Sequence, residues 1–320
     1  MDKRPITGST APFFGDVTTA PPGGVTTWTR TSDGVRIRLG FWPGGNRGTV
    51  LLFPGRTEYL EKYGPAAKEL AARGFATLTI DWRGQGLSDR LIDDRARGHV
   101  RRFADYQRDV AALLRLAETA DLPRPWFLLA HSMGGCIGLR ALHNGLPVRA
   151  AAFSAPMWGI RIMAPLVPLA WMLSGASRYI GRSDTYVPGS SANCYVSTEP
   201  FAGNVLTTDP EMFDFMARQV RTHPDLALGG PSLNWLHEAL REMRILGRTR
   251  PPRLPALVSI GSRERVVDVP AIRHIVSRWP GGLLDHVEGA RHEIMMETPA
   301  IRAAYYDRIT AFFDSCRPQG

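Results

Sequence analysis

The stretch "LLAHSMGGCIG", residues 128–138, decides how the rest of the chain is read. An uninterrupted apolar run meets His131 and Ser132, then Gly134 and Gly135, then more apolar residues. A buried strand turning sharply into a helix has this pattern, and two readings of its serine compete. Ser132 is either a nucleophile on a strained turn of the G-x-S-x-G kind or an ordinary serine N-cap. Ala130 stands where the first glycine of that pattern belongs. Its one extra methyl fits if the neighbouring helix leaves room.

Working outward, "VTTWTRT" and "VRIRLGFW" alternate as two strands around the turn Ser32-Asp33-Gly34, and "GTVLLF" (48–53) is a short buried strand ending in Pro54-Gly55. A helical pattern runs from Glu58 to Arg73, with Gly74 at the C-cap position. "FATLTID" is the next strand, "WRGQGLSD" a loop, and 103–119 an amphipathic helix. "PWFLLAH" is a buried strand, 133–144 a helix and "VRAAAFSA" a strand; "PALVSIG" (255–261) and "GLLDHVEG" (282–289) are strands each followed by a helix. Strands alternating with helices imply an α/β fold, with a mostly parallel sheet covered on both faces. The rhythm breaks between Pro156 and Arg253, where helical stretches rich in Trp, Met and Pro replace strands. The expected organisation is an irregular lead-in over 1–24, a core formed by 25–155 and 254–320, and an inserted helical lid over 156–253.

In such sheets chemistry gathers beyond the carboxyl ends of the strands. A serine needs a base to act as a nucleophile at neutral pH, and position sorts the eight histidines. His131 belongs to the turn itself; His143, His237 and His274 fall in helices, His223 in the insertion and His286 inside the last strand. His99, in "GHVRRF", is the remaining rival, read as shaping a loop; His292, in "EGARHEIMMET" after the last strand, is the candidate base. The carboxylate that orients it should follow the penultimate strand, where "SIGSRERVVDVP" offers Glu264 and Asp268. Asp268, just before Val269-Pro270, fits a helix N-cap, so Glu264 is assigned to the histidine and Asp268 stays the alternative acid. The oxyanion donors expected are the N–H of Met133, directly after the serine, and the N–H of Arg56 in the loop after "GTVLLF".

Composition narrows the function classes. The formal charge of +9 invites nucleic acid or an anionic membrane as partner. Yet the basic residues are almost all arginine, with only Lys3, Lys62 and Lys68 as lysines, as GC-rich coding alone would produce. No nucleic-acid motif or aromatic stacking platform accompanies the charge, so nucleic acid is not an expected partner. Cys136, Cys194 and Cys316 are sparse and odd in number, which argues for a reducing, cytoplasmic setting and against a disulfide framework or metal site. The opening residues have no apolar signal-like core. "IMAPLVPLAWMLSGAS" (162–177), broken by Pro165 and Pro168, is too short to span a bilayer, though peripheral membrane contact remains open. The run "WGIRIMAPLVPLAWML" puts Trp158, Trp171 and Met172 forward as acyl-chain contacts, with membrane contact or plain packing inside the insertion as alternatives.

With these loops placed, the chain resembles the serine α/β-hydrolases of the group that contains monoacylglycerol lipases and bacterial lysophospholipases of the L2 type. The resemblance runs over roughly residues 28–315 and is carried by "FPGRTEYLEKYG", "DWRGQGLSDR", "GHVRRFADYQRDV", "LLAHSMGG", "GSRERVVD" and "GARHEIMMET". The long segment "LTTDPEMFDFMARQVRTHPDLALGGPSLNWLHEAL" resembles the L2 type in particular. Two departures stand out: "PG" replaces the commoner "HG" before the oxyanion donor, and Glu264 replaces the usual Asp. The resemblance implies an α/β-hydrolase fold and a cofactor-free ester hydrolase acting on lysophospholipid or monoacylglycerol through an acyl-enzyme. Acyl transfer by the same triad and a non-catalytic lipid-binding hydrolase fold are the alternatives.

Overall fold

The computed structural model describes residues 9–317. Residues 1–8 of the expected lead-in, and the last three residues of the expected core, lie outside them. Eight strands form one sheet: β1 (Val25–Arg30), β2 (Arg36–Trp42), β3 (Thr49–Phe53), β4 (Ala76–Asp81), β5 (Trp126–His131), β6 (Ala151–Ser154), β7 (Ala256–Gly261) and β8 (Gly282–Val287). Their spatial order is β1-β2-β4-β3-β5-β6-β7-β8. β2 is antiparallel to both neighbours, and every pairing from β4 to β8 is parallel.

The nine helices of the described residues are α1 (Gly64–Ala72), α2 (Tyr106–Thr119), α3 (Met133–His143), α4 (Val167–Tyr179), α5 (Tyr195–Thr198), α6 (Pro210–Thr222), α7 (Leu233–Arg248), α8 (Val269–Val276) and α9 (Pro299–Ser315). Helices α4 to α7 fall between β6 and β7. No helix among the described residues is long and apolar enough to cross a membrane.

The period of two in β5 sets up two cores. Trp126, Leu128 and Ala130 face one side, where residues of α2, α3, α7 and α8 pack; Phe127 and Leu129 face the other, with Leu70 of α1 and Ile309 and Phe313 of α9. Full burial of a side chain such as Leu128 contributes roughly 1.5–3 kcal/mol, and both faces of the central strands gain it. This is why these strands read as continuous apolar runs.

One boundary differs from the sequence reading. The pattern from Glu58 to Arg73 is not one helix: a 3₁₀ turn covers Leu60–Tyr63, and the α-helix begins only at Gly64. Pro65 lies in the first turn of α1; with no N–H to donate backwards, it starts a helix and cannot continue one. The C-cap reading holds, since Gly74 has φ 85° beyond the end of α1.

The 3₁₀ turn is held by a fully buried ionic knot. Arg38 of β2 donates to Asp81 at the end of β4 (Nε, 2.7 Å) and to both oxygens of Glu61 (2.8 and 2.7 Å), and all three side chains are inaccessible. Glu61 also accepts from the N–H of Phe14 (3.1 Å), and Asp81 from the N–H of Leu60 (2.8 Å). The lead-in, the antiparallel edge and the loop after β3 are thereby joined. Removing one partner of a buried ionic group strands the other. Arg38→Met is expected to lower the unfolding free energy by about 3–5 kcal/mol in urea denaturation; an unchanged midpoint would show that the knot adds no net stability.

Candidate active site

Ser132 sits between β5 and α3 with φ 47° and ψ −116°, a conformation that costs an L-residue about 1–3 kcal/mol. Its side chain makes no capping bond to the helix. Instead its hydroxyl donates to Nε2 of His292 across 3.0 Å. That geometry rejects the N-cap reading of the opening motif.

The turn demands small residues on its inner side. A Cβ on Gly134 would lie 2.1 Å from the carbonyl oxygen of Phe53, and one on Gly135 would lie 2.5 Å from Cβ of Pro156. Ala130 is accommodated because the residue facing it across the turn is Gly138, where a Cβ would lie 3.3 Å from the Ala130 methyl. The missing glycine of the motif is compensated one helical turn later.

His292 is buried, and its Nδ1–H donates to Oε2 of Glu264 at 2.8 Å. An ionised carboxylate only accepts, so this bond leaves Nε2 unprotonated and facing Ser132. Glu264 also receives the N–H groups of Val266 (2.5 Å) and Val267 (3.1 Å). Burial pushes its pKa up, but attraction to and the hydrogen bond from the His292 imidazole, with these N–H bonds, outweigh burial and hold the carboxyl below its ordinary value. Asp268 lies elsewhere: it caps α8 by accepting from Ala271 N–H at 3.0 Å.

Among the described residues, the N–H groups of Met133 and Arg56 find no backbone acceptor. The loop after β3 is pinned so that Arg56 N–H is the group left over. Gly55 N–H donates to Glu58, and Thr57 N–H to Gln85 (3.3 Å). Gln85 Nε2 and Trp82 Nε1 donate to the carbonyls of Gly55 (3.0 Å) and Pro54 (2.9 Å). "DWRGQG" therefore acts as a clamp on this loop.

Beneath the serine lies a buried ionic cluster that the sequence reading missed. Lys62 Nζ bonds Glu58 (2.6 Å) and Glu293 (2.8 Å). His131 points Nε2 at Glu293 (3.2 Å) while its Nδ1–H donates to the Ser154 carbonyl (3.0 Å). Burial pushes the His131 pKa down, but Glu293 and Glu58 more than reverse it and raise it above the ordinary 6.5. Burial likewise favours the neutral form of Glu293, yet Lys62 and His131 hold its pKa well below the ordinary 4.5. With His131 protonated, two cations face two carboxylates. Ligand atoms of Glu58, His131 and Glu293 lie within 4.8 Å of one another, a spacing open to a metal; here the Lys62 ammonium bonds both carboxylates. The available signal was adjacency: His131 and Glu293 each sit next to a residue of the serine–histidine pair, and Glu58 and Lys62 are four apart.

Ser132 and His292 open into a cavity of about 690 Å³ whose wall also includes Arg56, Ile160, Val196, Leu206, Met216, Val220, Trp235, Leu236 and Val266. The three proposed acyl contacts are not part of this wall. Trp158 is core: its indole N–H donates to the Gly135 carbonyl (3.1 Å), and its ring stacks on Trp279. Trp171 packs edge-on to His237 between α4 and α7, and Met172 is 61% exposed. The cause is an inverted helix. α4 turns Ser174 and Ser177 inward and carries Leu169, Met172, Leu173 and Tyr179 outward. Its hydrophobic run therefore points away from the cavity.

Comparison with known proteins agrees with this architecture. The family model described as "Serine aminopeptidase, S33" matches residues 44–299. Lysophospholipase L2 of Escherichia coli (strain K12) is 35% identical over 281 residues, covering 83% of this chain and 80% of that protein. Two solved structures share the fold. A soluble variant of the monoglyceride lipase from Saccharomyces cerevisiae matches with TM-score 0.73 and 20% identity, over 96% of this chain and 99% of that one. A monoacylglycerol lipase from Paleococcus ferrophilus matches with TM-score 0.67 and 18% identity, over 88% and 99%. The α/β-hydrolase fold and the group resemblance read from the sequence are both borne out.

The ionic cluster sets a pH window for stability. Glu293, with its pKa depressed, stabilises fully above its ordinary 4.5 and loses this as pH falls through the folded value. His131, with its pKa raised, stabilises fully below its ordinary 6.5 and loses this as pH rises through the folded value. The denaturation midpoint is expected to be highest between these limits. His131→Asn, which keeps a donor for the Ser154 carbonyl, should flatten the alkaline arm; an unaltered arm in that variant would show that His131 is not its source.

Proposed function

The chain belongs to the family described as Serine aminopeptidase, S33, and on that premise we propose that it is a serine carboxylic-ester hydrolase acting on lipid-like esters, lysophospholipid or monoacylglycerol. One observation carries the reading. The Ser132 hydroxyl, held on a strained turn, meets His292 at 3.0 Å, and His292 meets Glu264 at 2.8 Å, at the wall of a largely apolar cavity.

In this mechanism His292 takes the Ser132 proton as Oγ attacks the ester carbonyl. The N–H groups of Met133 and Arg56 receive the oxyanion of the tetrahedral intermediate, aided by the positive end of α3. Glu264 balances the imidazolium charge, and His292 then protonates the departing alcohol. Water, deprotonated by the same imidazole, releases the acyl group from Ser132. An acceptor alcohol in place of water would make the reaction acyl transfer, which product analysis with added alcohol distinguishes.

Helices α4 to α7 act in this reading as a lid, whose outer surface rests on a membrane. The supporting feature is the inverted face of α4, where Met163 just before the helix is 71% exposed and Met172 61%, on a chain of net charge +9. Leu169→Asp combined with Met172→Asp is expected to lower cosedimentation with anionic-lipid vesicles several-fold; equal binding by the variant would remove this surface from consideration.

The direct test is an ester panel: p-nitrophenyl esters of several chain lengths, a monoacylglycerol and a lysophospholipid. Ser132→Ala is expected to lower kcat by roughly 10⁴–10⁶ and to abolish fluorophosphonate labelling. Near-normal turnover by that variant would sink the assignment.

A further inference from the structure

The arginine and the lysine on the cavity wall, Arg56 and Lys62, are treated differently. Lys62 is neutralised by Glu58 and Glu293. Arg56 makes no ion pair among the described residues. One nitrogen, Nη2, donates to the Gly229 carbonyl, and the guanidinium lies over the Trp235 ring, 5.3 Å from its centroid. Nε is buried and has no partner among the described residues. Burial with no carboxylate to offset it lowers the Arg56 pKa to about 10. The buried guanidiniums of Arg38 and Arg83 each contact two carboxylates.

The fold keeps a slot for this charge. A Cβ on Gly98 would lie 2.8 Å from Nη2 of Arg56. The segment around Gly98 is tied to the stretch beyond Gly229 by Gly98 N–H to Gly230 (3.0 Å) and Ser232 N–H to Gly98 (2.8 Å). Gly230 N–H in turn donates to the Ser191 carbonyl at 2.7 Å, which brings Ser190 and Ser191 of the cavity wall beside the same end. A guanidinium that is fixed, poorly hydrated and uncompensated in a cavity costs stability unless an anion completes it.

We propose that the Arg56 side chain is the phosphate-recognising group of the cavity, so that a lysophospholipid is preferred to an uncharged monoacylglycerol. This rests on the ester-hydrolase reading above. A planar fork of N–H donors suits phosphate oxygens, and a pKa of about 10 keeps the group charged at neutral pH. The spans agree as well. Arg56 carries its charge one arginine side chain away from its own N–H, the oxyanion donor. In a 1-acyl lysophospholipid the phosphorus lies a comparable distance from the ester carbonyl. One residue thus reads the carbonyl with its backbone and the phosphate with its side chain.

The test uses the full chain and two substrates with the same acyl group, 1-acyl lysophosphatidylglycerol and 1-monoacylglycerol, in the same neutral detergent micelles. The lysophosphatidylglycerol headgroup beyond its phosphate is uncharged, so the only charge that distinguishes the pair is that of the phosphate. Arg56→Gln is expected to lower the ratio of kcat/KM for lysophosphatidylglycerol over monoacylglycerol about 10- to 100-fold, with Arg56→Lys between it and the wild type. A ratio unchanged in Arg56→Gln, with both esters still hydrolysed, overturns the proposal and leaves the hydrolase reading standing. If the wild-type chain hydrolyses neither ester and Ser132 takes no fluorophosphonate, the hydrolase reading falls first. Should Arg56→Gln fail to fold, the wild-type chain decides by itself. Glycerol 3-phosphate is expected to slow fluorophosphonate labelling of Ser132 at concentrations at least tenfold lower than glycerol, and equal protection by the two would overturn the proposal.

Discussion

The backbone of Ser132, at φ 47° and ψ −116°, is the constraint to which the rest of the structure answers. A serine adopts that conformation only where its surroundings over-determine it. Its N–H and C=O are committed to Ser154 and Met157 at 3.1 and 2.8 Å, and the helix beyond it presses against the carbonyls of Phe53 and Pro54, where no side chain at Gly134 fits. The close approach sets Met133 and the loop of Arg56, whose N–H groups are the proposed oxyanion donors, on neighbouring segments. Strain in one residue thus turns its hydroxyl toward His292 and packs the start of α3 against the loop after β3.

Holding that geometry falls to buried charge. The Arg38–Glu61–Asp81 knot and the Glu58–Lys62–Glu293–His131 cluster are linked through the single 3₁₀ turn Leu60–Tyr63, which supplies Glu61 to one and Lys62 to the other. The second cluster reaches both sides of the serine–histidine pair, because His131 precedes Ser132 and Glu293 follows His292. The balance of charge in that cluster matters. Charge imbalance there would bear directly on the imidazole, whose ring centroid lies 4.9 Å from that of His131. Besides any stability they add, such buried ions can fix one conformation, and the element they hold here is the loop carrying Gly55 and Arg56.

What the sequence disclosed followed the physics of periodicity and chain order. Strands β3 to β7 were readable because both faces are buried, which leaves runs such as "FLLA" with no other place to go. Once the strands were located, the loops after β5, β7 and β8 were the places to look, and the structure brings Ser132, Glu264 and His292 together from them. Three things were not readable. Pro65 breaks an apparently continuous helix, and its effect competes with a strong helical pattern around it. The ionic clusters are contacts between residues as far apart as Lys62 and Glu293, and pattern carries no information about pairs at that separation. The inverted face of α4 escaped because hydrophobic periodicity locates an apolar face without saying which way it points. Trp158, Trp171 and Met172 were therefore aimed at a cavity that other residues line.

The inversion of α4 and the uncompensated charge of Arg56 break ordinary folding rules in complementary ways. A helix that buries Ser174 and Ser177 while presenting Met172 and Leu173 to the outside sacrifices burial that a simple swap of faces would recover. A guanidinium stacked on Trp235 without a carboxylate sacrifices pairing that the chain achieves at Arg38 and Arg83. Departures of this kind concentrate where a protein meets a partner. If the proposals above hold, an amphiphile with an acyl chain and a phosphate would supply both partners: an apolar phase against the outer face of α4 and an anion inside the cavity. On the reading proposed above, a single class of lipid, met first as a surface and then as a bound molecule, would account for both.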